Sequence, residues 1–168
     1  MKILAAILAG GRSTRFGTDK AQALHHGQPL VDHIIAALTP QSSTLVITGR
    51  NHPGHTSIAD CPAPDLGPLG GLCAALHHAA ANGFTHVLCA PCDTLDLPPD
   101  LTQRLAPGPA VALGQRTIGL WPATLAASLT THLQGPDRSI RHWIAATNAR
   151  EIDCGRMRNI NHPTDLAK

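Results

Sequence analysis

A three-layer α/β/α domain with a mainly parallel, mixed sheet is the fold that the sequence predicts, and three observations predict it. The apolar run of residues 3–8 ends abruptly in Gly10-Gly11, as a buried strand does when it turns into a loop. Short runs rich in β-branched residues then alternate with segments whose apolar residues recur at helical spacing, the pattern of parallel crossover units. Asp60 and Asp93 each stand just after such a run, where side chains in sheets of this kind face a crevice along the carboxyl ends of the strands.

The elements follow in order. Residues 3–8 form the first strand, and residues 29–38 a helix, because Leu30, Ile34, Ala37 and Leu38 share one face and Pro40 stops it. Residues 44–48 are a second buried strand, closed by Gly49 and Asn51, and residues 57–60 a brief third. Three prolines and three glycines in residues 61–71 predict an irregular loop, after which Leu72, Ala75, Leu76 and Ala79 mark a helix ending at Asn82-Gly83. Residues 85–90 read as a central strand, 99–105 as a short helix, and 109–113 and 117–121 as two more strands. Residues 123–133 are helical, and residues 139–147 bury Ile140, Trp143 and Ile144 along one helical face. An edge strand at 151–153 and a terminal helical turn after residue 161 complete the chain.

Bulk properties narrow the function. The 168 residues suit one domain spanning 1–168, which can bury about two-thirds of its unfolded surface. A formal net charge of +2, without a block of lysine and arginine, argues against nucleic acid or a membrane surface as partner. Five scattered cysteines, an odd number, fit a reducing cytoplasm better than a disulfide framework. The N-terminal apolar run breaks into glycines and cations, unlike a secretory signal, and no stretch approaches the ~18 apolar residues of a membrane span. Adjacent histidines point in different directions, so the doublets His25-His26 and His77-His78 are expected on solvated surface rather than on a metal.

Residues 8–20 carry the chemistry: Leu8-Ala9-Gly10-Gly11-Arg12-Ser13-Thr14-Arg15-Phe16-Gly17-Thr18-Asp19-Lys20. Three glycines allow sharp turns and close approach to a ligand, and three cations stand within nine positions, so an anion is the natural guest. Gly17 is not followed by Lys-Ser/Thr, which excludes a Walker-A loop, and the Gly-x-Gly-x-x-Gly fingerprint of dinucleotide sites is absent. Arg15 and Lys20 can clamp a triphosphate while the amides of residues 10–12 donate to its oxygens. Asp93 is the best magnesium ligand, as a carboxylate just past a buried strand, although an Asx turn suits the same position. Asp96 and Asn161 can also offer oxygen to a metal, but by themselves a turn or N-cap role is expected for Asp96 and a structural turn for Asn161. Cys89-Ala90-Pro91-Cys92 raises a rival redox or zinc reading, but no second Cys-x-x-Cys or His-x-x-x-His accompanies it.

The thirteen-residue string resembles the L-A-G-G-x-S-x-R-M-G-x-D-K signature of the MobA-like nucleotidyltransferases of molybdenum cofactor, with Phe16 in place of Met as its only departure. Gly67-Pro68-Leu69-Gly70-Gly71, Cys92-Asp93, and Asn159-Ile160-Asn161 with Pro163 and Asp165-Leu166 follow in the family's order, so the resemblance covers nearly the whole chain. It implies a Rossmann-like nucleotidyltransferase domain that transfers GMP from GTP to the phosphate of molybdopterin cofactor and releases pyrophosphate. By resemblance Arg15, Lys20 and Asp93 are catalytic, and Leu8, Ala9, Gly10, Gly11, Arg12, Lys20, Thr48, Asp60, Gly67, Pro68, Leu69 and Asp93 bind the nucleotide. Asp93 and Asn161 would hold Mg2+, and transient contact with molybdoenzymes or other cofactor-synthesis proteins is implied. Thr48 stands where some relatives carry asparagine, and the connections around 53–60 and 107–115 are short, which leaves a CTP-using or other-acceptor transferase, or a binding module without turnover, as alternatives.

Overall fold

The computed structural model describes residues 1–10 and 20–167, and the side chains of all of these but Lys20 and Ala167. The strands are β1 (Ile3–Leu8), β2 (Leu24–His25), β3 (Gln28–Pro29), β4 (Thr44–Thr48), β5 (Thr56–Ile58), β6 (His86–Pro91), β7 (Thr94–Leu95), β8 (Ala110–Ala112), β9 (Gln115–Pro122), β10 (Arg150–Ile152) and β11 (Arg158–Asn159). The α-helices are α1 (Leu30–Leu38), α2 (Pro68–Ala81), α3 (Leu101–Leu105), α4 (Ala126–Gln134) and α5 (Ile140–Thr147). Seven strands make the main sheet in the order β10-β8-β9-β6-β1-β4-β5. Among them only β9 runs against the rest, pairing antiparallel with β6 and β8. The mixed, mainly parallel α/β sheet is therefore the fold that the sequence predicts.

β1 shows why three layers form. All six of its residues are buried, and its side chains alternate between two cores, as the two-residue period of a strand requires. Ile3, Ala5 and Ile7 pack with Leu30, Ile34 and Leu38 of α1 and with Leu101 and Leu105 of α3. Leu4, Ala6 and Leu8 pack with Leu72, Cys73, Leu76 and Ala79 of α2, and with Leu129 of α4 and Trp143 of α5. After β5 the chain crosses through α2 to β6, on the opposite flank of β1, which makes the carboxyl end of β1 the switch point of the sheet.

Three local expectations are corrected. α2 begins at Pro68, not after Gly71, because proline is preorganised for the first helical position and needs no N–H there. A β-carbon on Gly71 would run into Thr48 Oγ1, so close packing of the helix on the sheet, rather than irregularity, explains that glycine. β2 and β3 form a two-residue hairpin whose tip, His26-Gly27, has positive φ at both positions. His25 is not solvated: it is 5% exposed, and its ring lies against His26 and His33. Among the described residues no helix is long and apolar enough to cross a membrane.

Candidate active site

Backbone hydrogen bonds knit the strand exits together. Leu8 lies opposite Thr48 on one flank and Pro91 on the other, and beyond the ladders Ala9 N donates to Thr48 O (3.1 Å) and Cys92 N to Leu8 O (3.3 Å). Gly49 N donates to Ile58 O (3.0 Å) and Cys61 N to Gly70 O (3.2 Å), which brings the residue 59–61 segment against the first turn of α2. Residues 8–10, 49–51, 58–61 and 91–93 thus leave the same edge of the parallel strands.

On the β4 flank a cavity of about 810 Å³ opens, lined by Gly10, Gly49, Arg50, Asn51, Asp60 and Gly67 among others. Its floor depends on the lack of side chains. A β-carbon on Gly10 would stand 2.9 Å from Asp60 Oδ2, and one on Gly49 would overlap the backbone of Gly10. Gly49 also has φ +78, a conformation that costs other residues strain. Asp60 Oδ1 is closed off from solvent and has no hydrogen-bond partner among the described residues. Burial, with Asp65 adding repulsion, holds the Asp60 carboxyl above its ordinary range. A buried acceptor in this condition wants a donor, and the cavity is where a ligand can bring one.

The β6 flank is built from polar pairing. β7 and β11 form a short antiparallel ladder with Thr94 opposite Asn159, and Ile160 N donates to Asp93 O (2.9 Å). Thr94 Oγ1 donates to Asn159 Oδ1 (2.7 Å), and Asn159 Nδ2 to Gln115 Oε1 (3.0 Å). The ladder sets Asp93 beside the chain that continues into Asn161, whose own amide, with that of His162, donates to Asp165 Oδ2 (2.9 Å each). A carboxylate and a side-chain amide are both hard oxygen donors, so this pair suits Mg2+ by its chemistry. Asp96 is occupied otherwise: its carboxylate accepts from Arg158 Nε, and that guanidinium holds it below its ordinary range.

The remaining expectations fall as follows. Gly10, Asp60 and Gly67 line the cavity, and Leu8 and Ala9 lead into it. Thr48 does not line it: the side chain is 0% exposed, with Oγ1 3.4 Å from Ile7 O, because α2 lies directly over it. Leu69 is 2% exposed and packs in the core, so any ligand contact there falls to its backbone. Pro68 is the first residue of α2. Gly11, Arg12 and Arg15, and the side chain of Lys20, lie outside the described residues. Arg50, Asn51, Ser57 and Asp65 also line the cavity; Arg50 and Asn51 follow β4, Ser57 lies in β5, and Asp65 stands in the proline-rich loop, so their position is their signal in the sequence. Cys89 and Cys92 do not form a pair, since Cys89 packs in the α2 core with its thiol pushed up to about 12 by burial, while Cys92 packs on the α1 side.

The family described as MobA-like NTP transferase domain matches residues 5–151. A molybdenum cofactor guanylyltransferase of Sinorhizobium fredii is 34% identical, covering 89% of this chain and 77% of that protein. One from Cereibacter sphaeroides is also 34% identical, covering 100% of this chain and 95% of the other. Among solved structures, molybdopterin-guanine dinucleotide biosynthesis protein A from Archaeoglobus fulgidus superposes with a TM-score of 0.77 over 98% of this chain and 95% of that one, at 19% identity. A 4-diphosphocytidyl-2C-methyl-D-erythritol synthase shares the fold at a TM-score of 0.68 and 12% identity, covering 99% of this chain and 97% of that one. The match over most of the chain, together with a glycine-floored cavity and an aspartate clamp at one sheet edge, leads to one conclusion: this chain belongs to the MobA-like NTP transferase family.

Proposed function

We propose that this nucleotidyltransferase moves GMP from GTP to the terminal phosphate of molybdenum-molybdopterin cofactor, the reaction that its relatives' name describes. A phosphate oxygen of the acceptor attacks the α-phosphorus, a new P–O bond forms, the bond to the β-phosphate oxygen breaks, and pyrophosphate leaves. The acceptor is already anionic at neutral pH, so no strong general base is needed. Alignment and neutralisation of charge carry the rate. The observation that supports this reading most is that the Asp60 cavity and Asp93 lie on the two flanks of the carboxyl end of β1, after β4–β5 and after β6.

In this reading the nucleoside enters the cavity beside Gly10 and Gly67, and Asp60 accepts from its N–H or O–H donors. Gly11 and Arg12 would contribute backbone donors to the phosphates, and Arg15 and Lys20 positive charge. Asp93, with Asn161, would hold Mg2+, which when bound screens the phosphate charge and polarises the phosphoryl oxygens. The whole chain, 1–168, acts as one domain in the cytoplasm, where transient contact with other cofactor-synthesis proteins or molybdoenzymes delivers or collects the product.

GMP transfer assayed with Lys20→Ala and Asp93→Ala tests the reading. Each should lose about a hundredfold or more in rate; full activity in both would end it. A thermal-shift titration with GTP against CTP, in Mg2+, tests the base. Stronger stabilisation is expected from GTP, and equal or stronger stabilisation from CTP would transfer the assignment to cytosine.

A further inference from the structure

We propose that Cys61, Cys73 and His77 form a site for a thiophilic divalent cation of the zinc type, separate from the nucleotide site. Cys73 and His77 stand four apart on α2 and so share one face of the helix, and Cys61 approaches that face from the segment after β5. One ligand atom from each of the three lies within 4.8 Å of the others, and the two sulfurs are 2.9 Å apart. His77 Nε2 is 2.8 Å from Thr130 Oγ1 of α4, which in turn is 3.4 Å from Cys73 Sγ, so a hydroxyl already holds the imidazole and the thiol in one cluster.

Coordination chemistry fits this arrangement. Zinc binds sulfur at about 2.3 Å and nitrogen at about 2.0–2.1 Å, so tetrahedral ligands sit roughly 3.4–3.8 Å from one another. The sulfurs need only part by about 0.9 Å to reach that spacing. Cys73 is fully buried at the base, Cys61 half-buried and His77 exposed, which gives a floor of sulfur and a rim of nitrogen. A cavity of about 450 Å³, bordered by Cys61, His77, His78 and Thr130, adjoins the cluster and leaves room for water as a fourth ligand.

Both cysteines are free thiols, and burial together with Cys73 pushes the Cys61 thiol up to about 12. An entering dication would displace both thiol protons, giving a neutral dithiolate centre and two protons in solution. Such an ion would fasten the segment carrying Asp60 to the middle of α2, reinforcing the hydrogen bond from Cys61 N to Gly70 O. The site is a structural clip on the wall of the nucleotide cavity, and it does not depend on which nucleotide that cavity takes.

Cobalt titrated into the full chain, in a phosphine reductant and excess Mg2+, tests the site. Reductant keeps a disulfide from forming, and Mg2+ occupies oxygen sites such as Asp93. One Co2+ per chain should bind with a thiolate-to-metal charge-transfer band and intense tetrahedral ligand-field bands, and one equivalent of Zn2+ should bleach both. His77→Ala should weaken binding by more than the ~10–100-fold that losing an outer-shell partner costs, and Cys61→Ser should remove about half or more of the charge-transfer intensity. Both lie outside the fully buried core, so they test the site even where Cys73→Ser disturbs folding; Cys154→Ser should leave the spectrum unchanged. Absence of the band in the unmodified chain, or an undiminished band in Cys61→Ser, overturns the proposal.

Discussion

Leu8 leaves the sheet between two neighbours that hold their shape by opposite means. On the β4 side the cavity exists because atoms are missing: Gly10 approaches Asp60, and Gly49 approaches Gly10, at distances a β-carbon would violate. On the β6 side the clamp exists because atoms are present: Thr94 reaches Asn159 across 65 residues of sequence, and Asn159 reaches Gln115. The steric side should respond to substitution with a large, abrupt loss of stability. The polar side should respond gradually, and in ligand geometry more than in folding.

Gly49→Ala is the largest expected effect. It forces a side chain into a positive φ and into the backbone of Gly10, and should cost about 2–5 kcal/mol in a urea denaturation midpoint. Gly27→Ala, at φ +79 but with nothing within 4 Å, isolates the backbone part and should cost only about 1 kcal/mol. Similar losses in the two variants would break the steric account of the cavity floor.

Asp60→Asn comes next. Removing a carboxylate whose charged form is penalised by burial should leave stability unchanged or raised, while GTP affinity, measured by calorimetry, falls about tenfold to a hundredfold. Thr94→Val should cost about 0.5–1.5 kcal/mol of stability, a loss held down because exposed Asn159 can rehydrate. Its sharper effect should be a higher Mg2+ concentration for half-maximal GMP transfer. An unchanged Mg2+ dependence would separate the ladder from metal binding.

The smallest effect concerns His25. Burial, then His26, lowers its pKa below the ordinary 6.5, so between the two values the unfolded chain binds a proton that the folded one resists. Stability is therefore full above pH 6.5 and declines as pH falls below it. His25→Asn should flatten that part of a plot of Tm against pH; an unaltered slope would assign it to other groups.

The steric flank was far more legible in the sequence than the polar one. Glycines and Asp60 sit in local motifs beside strongly periodic strands, and β1, β4 and β6 show the buried, β-branched runs that mark a parallel sheet. β7 and β11 are two residues each, too short for any period, and their partnership is a tertiary choice. The start of α2 was read as a loop because proline and glycine are breakers in isolation, whereas here Pro68 opens the helix and Gly71 makes room for Thr48. His25 was read as solvated because nothing local reveals that its side chain, on a strand of only two residues, packs beside His33 of α1.

The alternation along β1 sets a rule for how this protein can change. Inserting one residue between Ile3 and Leu8 would exchange the occupants of the two layers downstream of the insertion and rotate the glycine exit to face the wrong helix. Point substitutions among small and branched aliphatics can be absorbed there; changes of length cannot, so descendants of this sequence must vary β1 in composition while keeping its count.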